Sequence, residues 1–146
     1  MVVCDLDGFR VDGPPGITPP QEVKIHSCIL RTDPNVQSVV HVHPRFVVLM
    51  TLLPATILPV CHEGPQVVRK PPPLYRHYKI IQSDEEGMAV ADLLGDNRAV
   101  LLLGHGATTA GGSLSESFMN MFDLEEQARM NYQLYCAAGP DYTGVP

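Results

Sequence analysis

No apolar run in this sequence approaches the ~20 residues that a membrane-spanning helix needs. The longest candidate, Val47–Leu53, stops at Pro54. The first residues, Met1-Val2-Val3-Cys4-Asp5, lack the basic segment and small-residue cleavage site of a secretory leader. Basic residues are few, 10 Lys+Arg against 16 Asp+Glu, and the net charge of −6 argues against a nucleic-acid or anionic-membrane partner. The four cysteines (Cys4, Cys28, Cys61, Cys136) form no Cys-x-x-Cys pair. They read as reduced thiols, and the expected location is the cytoplasm. There is no internal repeat, no charge block and no flexible linker.

What is present is a chain able to fold. It has 146 residues, 45% of them hydrophobic and 18% charged, which excludes a disordered chain and sets the expectation at a single domain over residues 1–146. Proline is abundant, 14 residues clustered at Pro14-Pro15, Pro19-Pro20 and Pro71-Pro72-Pro73, so short elements joined by firm turns are predicted.

Val2–Asp5 and Phe9–Asp12 read as a hairpin turning at Gly8. Gln21–Arg31 has helical spacing after Pro20, and Asp33-Pro34 ends it. Val36–His43 is the most strand-like segment, followed by a helix over Pro44–Leu52 with Pro44 at its first position. Thr56–Val60 and Tyr78–Gln82 are predicted as short strands. Ser83-Asp84-Glu85-Glu86 is a capping box opening a helix that Gly95 closes. Arg98–Leu103 is apolar without alternation and reads as a buried strand. Ser113-Leu114-Ser115-Glu116 is a second capping box. Its helix runs to Gly139 with Leu114, Phe118, Met121, Phe122, Ala128 and Tyr135 on or near one stripe. Core packing is the first reading of that stripe, a partner subunit the second. Interleaved strands and helices point to a layered α/β domain.

Six histidines carry the chemical signal. On a strand, His41 and His43 project from one face about 6.6 Å apart, a spacing that lets two imidazoles converge on one metal ion. Val40 and Val42 would then pack behind them. The same pair also occurs in ordinary cores. His105 follows the apolar strand between Gly104 and Gly106, and those glycines allow a tight turn with another segment close by. It is either a loop histidine bonded to carbonyls or a third ligand. Three neutral imidazoles would make a His₃ site with an open position, the arrangement of a catalytic metal. Glu22, at a helix start, is by itself an ordinary first-turn carboxylate. His26 shares its helix face and reads as a packing residue near the site, while His62 and His77 fall in proline-rich loops.

These blocks together resemble the class II aldolase/adducin family, the group of L-fuculose-phosphate aldolase and ribulose-phosphate 4-epimerase. Pro19-Pro20-Gln21-Glu22 with His26 resembles its Ser-Ser-Glu segment. Val39-Val40-His41-Val42-His43-Pro44 resembles its histidine-pair strand. Leu101-Leu102-Leu103-Gly104-His105-Gly106, with Leu124-Glu125-Glu126 and Ala128 on the last helix, resembles its third-histidine strand and C-terminal helix. The resemblance implies a three-layer α/β/α sandwich around a mostly antiparallel sheet, and a homotetramer with sites at subunit contacts. It implies a divalent metal on His41, His43 and His105, zinc first and manganese or iron as alternatives, with Glu22 as catalytic acid/base. The family's phosphate-binding loops precede the point where this sequence starts, and its two serines before the glutamate are Pro20 and Gln21 here. Relatives acting on non-phosphorylated hydroxy acids are therefore closer. The expected activity is that of a carbon–carbon lyase, decarboxylase or aldolase, acting on a small hydroxylated carbonyl or carboxylic acid through a metal-stabilised enolate. The alternatives are an adducin-like assembly module, an inactive truncated homologue, or an iron oxygenase on the same fold.

Overall fold

Period-two burial along one short strand organises the molecule. In the computed structural model, which describes residues 1–146, strand β5 (Ala99–Leu102) is buried at every position. Its alternate side chains enter opposite cores. Ala99 and Leu101 join Val47, Met50, Val67, Val68, Met121, Leu124 and Ala128 on one side. Val100 and Leu102 join Ile25, Cys28, Ile29, Val90, Ala91 and Leu94 on the other. A strand sandwiched in this way has no polar face to show, which is why its sequence does not alternate.

The first core is closed by helices α2 (Arg45–Thr51), α3 (Pro65–Val68) and α5 (Leu114–Ala138), the second by α1 (Val23–Thr32) and α4 (Asp84–Leu94). Between them lies a four-stranded sheet in the order β3 (Ser38–Val42), β6 (Gly106–Gly111), β5, β4 (Leu74–Tyr75). β3–β6 and β6–β5 are antiparallel, and β4–β5 is parallel. This is the three-layer α/β/α arrangement that the family resemblance implied. No helix is long and apolar enough to cross a membrane.

The N-terminal hairpin is shorter than expected, β1 (Val3–Cys4) against β2 (Arg10–Asp12), with Gly8 at φ 82° in the turn. Lys24 and Arg31 of α1 tie it down by donating to the carbonyls of Asp7 (2.8 Å) and Leu6 (2.6 Å). The α4 capping box forms in full, and Gly95 follows its last turn. The second box forms by half. Ser113 accepts from the Glu116 amide, but the Glu116 carboxylate turns to the Gly112 amide (2.9 Å) and Arg98 (3.0 Å) instead of the Ser113 amide.

Two predicted strands are absent. Thr56–Val60 runs along α5, where side chains replace a neighbouring strand. Asn131 accepts from the Leu58 amide (2.9 Å) and donates to its carbonyl (2.8 Å), and Gln127 accepts from the Val60 amide (2.9 Å). Tyr78–Gln82 is irregular, and its Ile81 amide donates to the Glu22 carboxylate at the start of α1. The parallel strand falls earlier, at Leu74–Tyr75.

β6, an inner strand, carries Gly-Ala-Thr-Thr-Ala-Gly, in which two glycines and two alanines dilute the strand signal of the two threonines. Its small side chains let α5 approach closely. Thr109 donates to the Ser117 carbonyl (2.7 Å), and Asn120 to the Ala110 carbonyl (3.0 Å). The expected stripe on α5 divides. Met121, Leu124 and Ala128 are buried, whereas Leu114, Phe118 and Phe122 are each more than half exposed.

Candidate metal centre

β3 ends at Val42, and its antiparallel register with β6 sets His41 opposite Thr108 and Val42 opposite Ala107. His43 lies one residue past the strand, before Pro44, which caps α2 from outside the helix instead of occupying its first position. Val40 packs against the first core as expected, but Val42 is exposed at the strand end. The β5–β6 connection is a tight turn in which Gly104 has φ 63° and the His105 amide donates to the Leu102 carbonyl (3.0 Å). Gly106 has no room for a side chain. A Cβ there would lie 2.4 Å from the Val42 carbonyl oxygen and 3.0 Å from the His43 ring. The glycine is what allows the histidine-pair segment to pass directly over the third-histidine turn.

The three rings meet. Their centroids are 5.2 Å apart for His41–His43, 5.2 Å for His41–His105 and 4.7 Å for His43–His105. Glu22, at the N-cap of α1, completes the group, with one potential ligand atom from each residue within 4.8 Å of all the others. Its Oε1 accepts from the Ile81 amide (3.0 Å), which leaves Oε2 at 3.4 Å from Nε2 of both His41 and His105.

The hydrogen bonds show what this arrangement needs. His41 Nδ1 lies 3.0 Å from the Ala107 carbonyl oxygen and 3.1 Å from Thr108 Oγ1. A carbonyl can only accept, so Nδ1 carries the hydrogen and Nε2 turns a bare lone pair toward Glu22. Two acceptors then face one another. Buried His41 Nε2 and His105 Nδ1 have no hydrogen-bond partner at all. Orphaned buried nitrogens are costly, and a cation held by the neutral rings removes that cost. The donor set therefore fits a divalent ion.

Burial lowers the His41 pKa from 6.5 to about 4, with Glu22 opposing and the neighbouring imidazoles adding to the fall. Its ring is neutral at physiological pH, as a metal ligand must be. A lowered histidine pKa means that the unfolded chain binds the proton more readily. The metal-free protein should hold the full contribution above pH 6.5 and lose it as pH falls toward 4. Urea denaturation of EDTA-treated protein at pH 7.5 and 4.5 measures this. The difference should shrink in His41→Asn, and an unchanged difference would contradict the burial of a neutral ring.

Pro20, Gln21, Glu22, His26, His41, Val42 and His43 line an open cavity of about 570 Å³ on the centre. His26 is thus beside the site, outside the ligand group, its pKa held below 6.5 by burial. His62 is exposed near Glu63, and His77 packs on Tyr75. Tyr132 stacks on Phe46, and Tyr142 donates to Asn131. Neither tyrosine borders the cavity. Ile81, Ala107 and Thr108, which orient Glu22 and His41, gave no signal in the sequence. Two of these contacts use backbone atoms, which any residue supplies.

The chain belongs to the class II aldolase and adducin family. Residues 1–132 match the model of the class II aldolase and adducin N-terminal domain. It is 31% identical over 128 residues to 3,4-dihydroxyphthalate decarboxylase of Terrabacter sp. (strain DBF63), covering 85% of this chain and 54% of that protein. It thus spans about half the length of that relative. The structure of L-fuculose-1-phosphate aldolase from Thermus thermophilus superposes with a TM-score of 0.70 at 28% identity, covering 90% of this chain and 71% of that one. An aldolase II superfamily protein from Pseudomonas syringae superposes at 0.84 with 23% identity over 99% of this chain and 58% of its own, a likeness of fold. The His₃/Glu cluster is typical of the family's metal site.

Proposed function

We propose that this chain carries the active centre of a divalent-metal-dependent carbon–carbon lyase, and that it decarboxylates a small hydroxylated carboxylic acid. The observation that carries this reading is the meeting of His41, His43, His105 and Glu22, with two buried ring nitrogens left without partners. His41, His43 and His105 would hold the ion, zinc being the one that three neutral imidazoles suit best. When bound, such an ion supplies Lewis-acid stabilisation of negative charge on a substrate oxygen.

The chain's own residues do the rest. The Ala107 carbonyl fixes the His41 tautomer, so its lone pair stays aimed inward. The Ile81 amide holds one carboxylate oxygen of Glu22 and leaves the other at the open face. In a decarboxylation the carbon–carbon bond breaks, carbon dioxide leaves, and the electron pair stays with the substrate carbon and its conjugated oxygen. Glu22 Oε2 is set to take the proton of a substrate hydroxyl as charge builds there and to return that one proton to this carbon once carbon dioxide has left. Gln21 and His26 line the cavity where the remainder of the substrate would lie.

The cavity lining includes no lysine, arginine, serine or threonine. The likeness to 3,4-dihydroxyphthalate decarboxylase supports a non-phosphorylated hydroxy acid, and the likeness to 3-oxo-tetronate 4-phosphate decarboxylase of Escherichia coli, 32% identical over 127 residues, supports decarboxylation itself. The apolar surface of Leu114, Phe118, Met119 and Phe122 on α5 supports assembly with further copies, a homotetramer in this reading. Four unpaired cysteines are consistent with the reducing cytoplasm.

The test is an assay of zinc-loaded chain against dihydroxylated aromatic acids and hydroxy acids, following carbon dioxide, beside sugar phosphates, following released aldehyde. Carbon dioxide from the acids is expected. Aldehyde from the phosphates alone would replace decarboxylase by aldolase, and neither product with metal bound would favour a non-catalytic role.

A further inference from the structure

Helix α2 spans the gap between the two histidine segments, and other elements fix both of its ends. It begins at Arg45, two residues after His43, and its N-cap is Pro44, whose side chain cannot accept a hydrogen bond. Its free amides are satisfied from α5 instead. The Glu125 carboxylate accepts from the Phe46 amide (3.0 and 3.1 Å) and from the Val47 amide (3.0 Å). A charged acceptor on the amide end of a helix also has the favourable sign toward the helix dipole. Phe46 stacks on Tyr132 of α5 at 5.7 Å, which adds a second attachment at this end.

The last residue of α2 is Thr51, buried at 5% exposure. Its hydroxyl donates to the Val48 carbonyl (2.6 Å) and accepts from the Gly104 amide (2.9 Å). Gly104 is the residue before His105. One end of α2 therefore continues into His43, and the other grips the turn that presents His105. The centroids of these two rings are 4.7 Å apart, although they lie 62 positions apart in sequence (105 − 43).

We propose that Glu125 and Thr51 are positioning residues of the metal site, which set the separation of His43 and His105 by clamping α2 at its two ends. This rests on the reading of the histidine cluster as a metal site. Loss of either clamp lets one ligand segment shift against the other, and ion affinity falls. Partners that orient ligands typically account for roughly 10–100-fold in affinity. Because both residues act through one helix, their effects should combine less than additively.

The experiment measures cobalt and zinc binding by competition titration on the whole chain, with the visible spectrum of the cobalt form and the thermal midpoint of the metal-free form. Glu125→Ala, which removes the acceptor, and Thr51→Val should each weaken binding roughly 10–100-fold and alter the cobalt absorption bands. Thr51→Ser, which keeps the hydroxyl, should restore both, and Glu125→Gln, whose amide oxygen can still accept from the Phe46 and Val47 amides, should lie between Glu125→Ala and the unaltered chain. Unchanged affinity and spectrum in folded Glu125→Ala and Thr51→Val, with only a lower midpoint, would overturn the clamp and leave two structural residues. A wild-type chain that binds neither ion would overturn the clamp and the metal-site reading together.

Discussion

The unaltered chain should hold about one divalent ion per molecule, and replacing His41 or His105 with alanine should release it. Each substitution removes one of three nitrogens from a centre whose rings lie about a ring's width apart. The fall in affinity should exceed the ~10–100-fold that orienting partners account for, because a ligand itself is lost. His41 is the sharper probe. Its Nδ1 is engaged by Ala107 and Thr108, so the side chain has no other hydrogen-bonding use for Nε2. Elemental analysis after dialysis reads the result directly. His62→Ala serves as the control, since that exposed ring lies outside the cluster. Metal retained in both His41→Ala and His105→Ala would refute the site.

Glu22→Gln should separate holding the ion from turning over substrate. Glutamine has the size of glutamate, and its amide oxygen can still accept from the Ile81 amide, so the loop and the α1 N-terminus should stay in place. What it cannot do is exchange a proton at the position of Oε2, 3.4 Å from two imidazoles. The expected outcome is ion affinity within a few-fold of the unaltered chain and turnover lower by roughly 10²–10⁴-fold, the usual range for general acid–base catalysis. Full activity in Glu22→Gln would leave Glu22 as a helix-terminal carboxylate and no more.

How much of this was legible in the sequence follows from where each signal resides. Capping boxes and proline breaks are local, so helices α4 and α5 and the bounds of α1 could be read to within one or two residues. The histidine pair followed from strand periodicity, and the third histidine from glycines whose function, close approach of another segment, the Gly106–His43 contact bears out. β6 was hidden because its glycines and alanines, small enough to lie beneath α5, have little strand propensity and outnumber its two threonines. Thr56–Val60 looked like a strand because its residues suit extended backbone. Its partner is a row of amide side chains on α5, which no local pattern announces. The exposure of Phe118 and Phe122 is of the same kind, since one chain's sequence does not say which apolar face is left uncovered. Glu125 belonged to a recognisable motif, but its role depends on a helix 78 positions away in sequence (125 − 47).

Anomalous diffraction at the zinc edge, from crystals of the chain grown with zinc, addresses the central claim most directly. A single strong peak should stand within bonding distance, about 2.0–2.1 Å, of one nitrogen from each of His41, His43 and His105. A peak at Cys61 and His62 instead, or no peak at the three rings at full zinc occupancy of the solution, would contradict it.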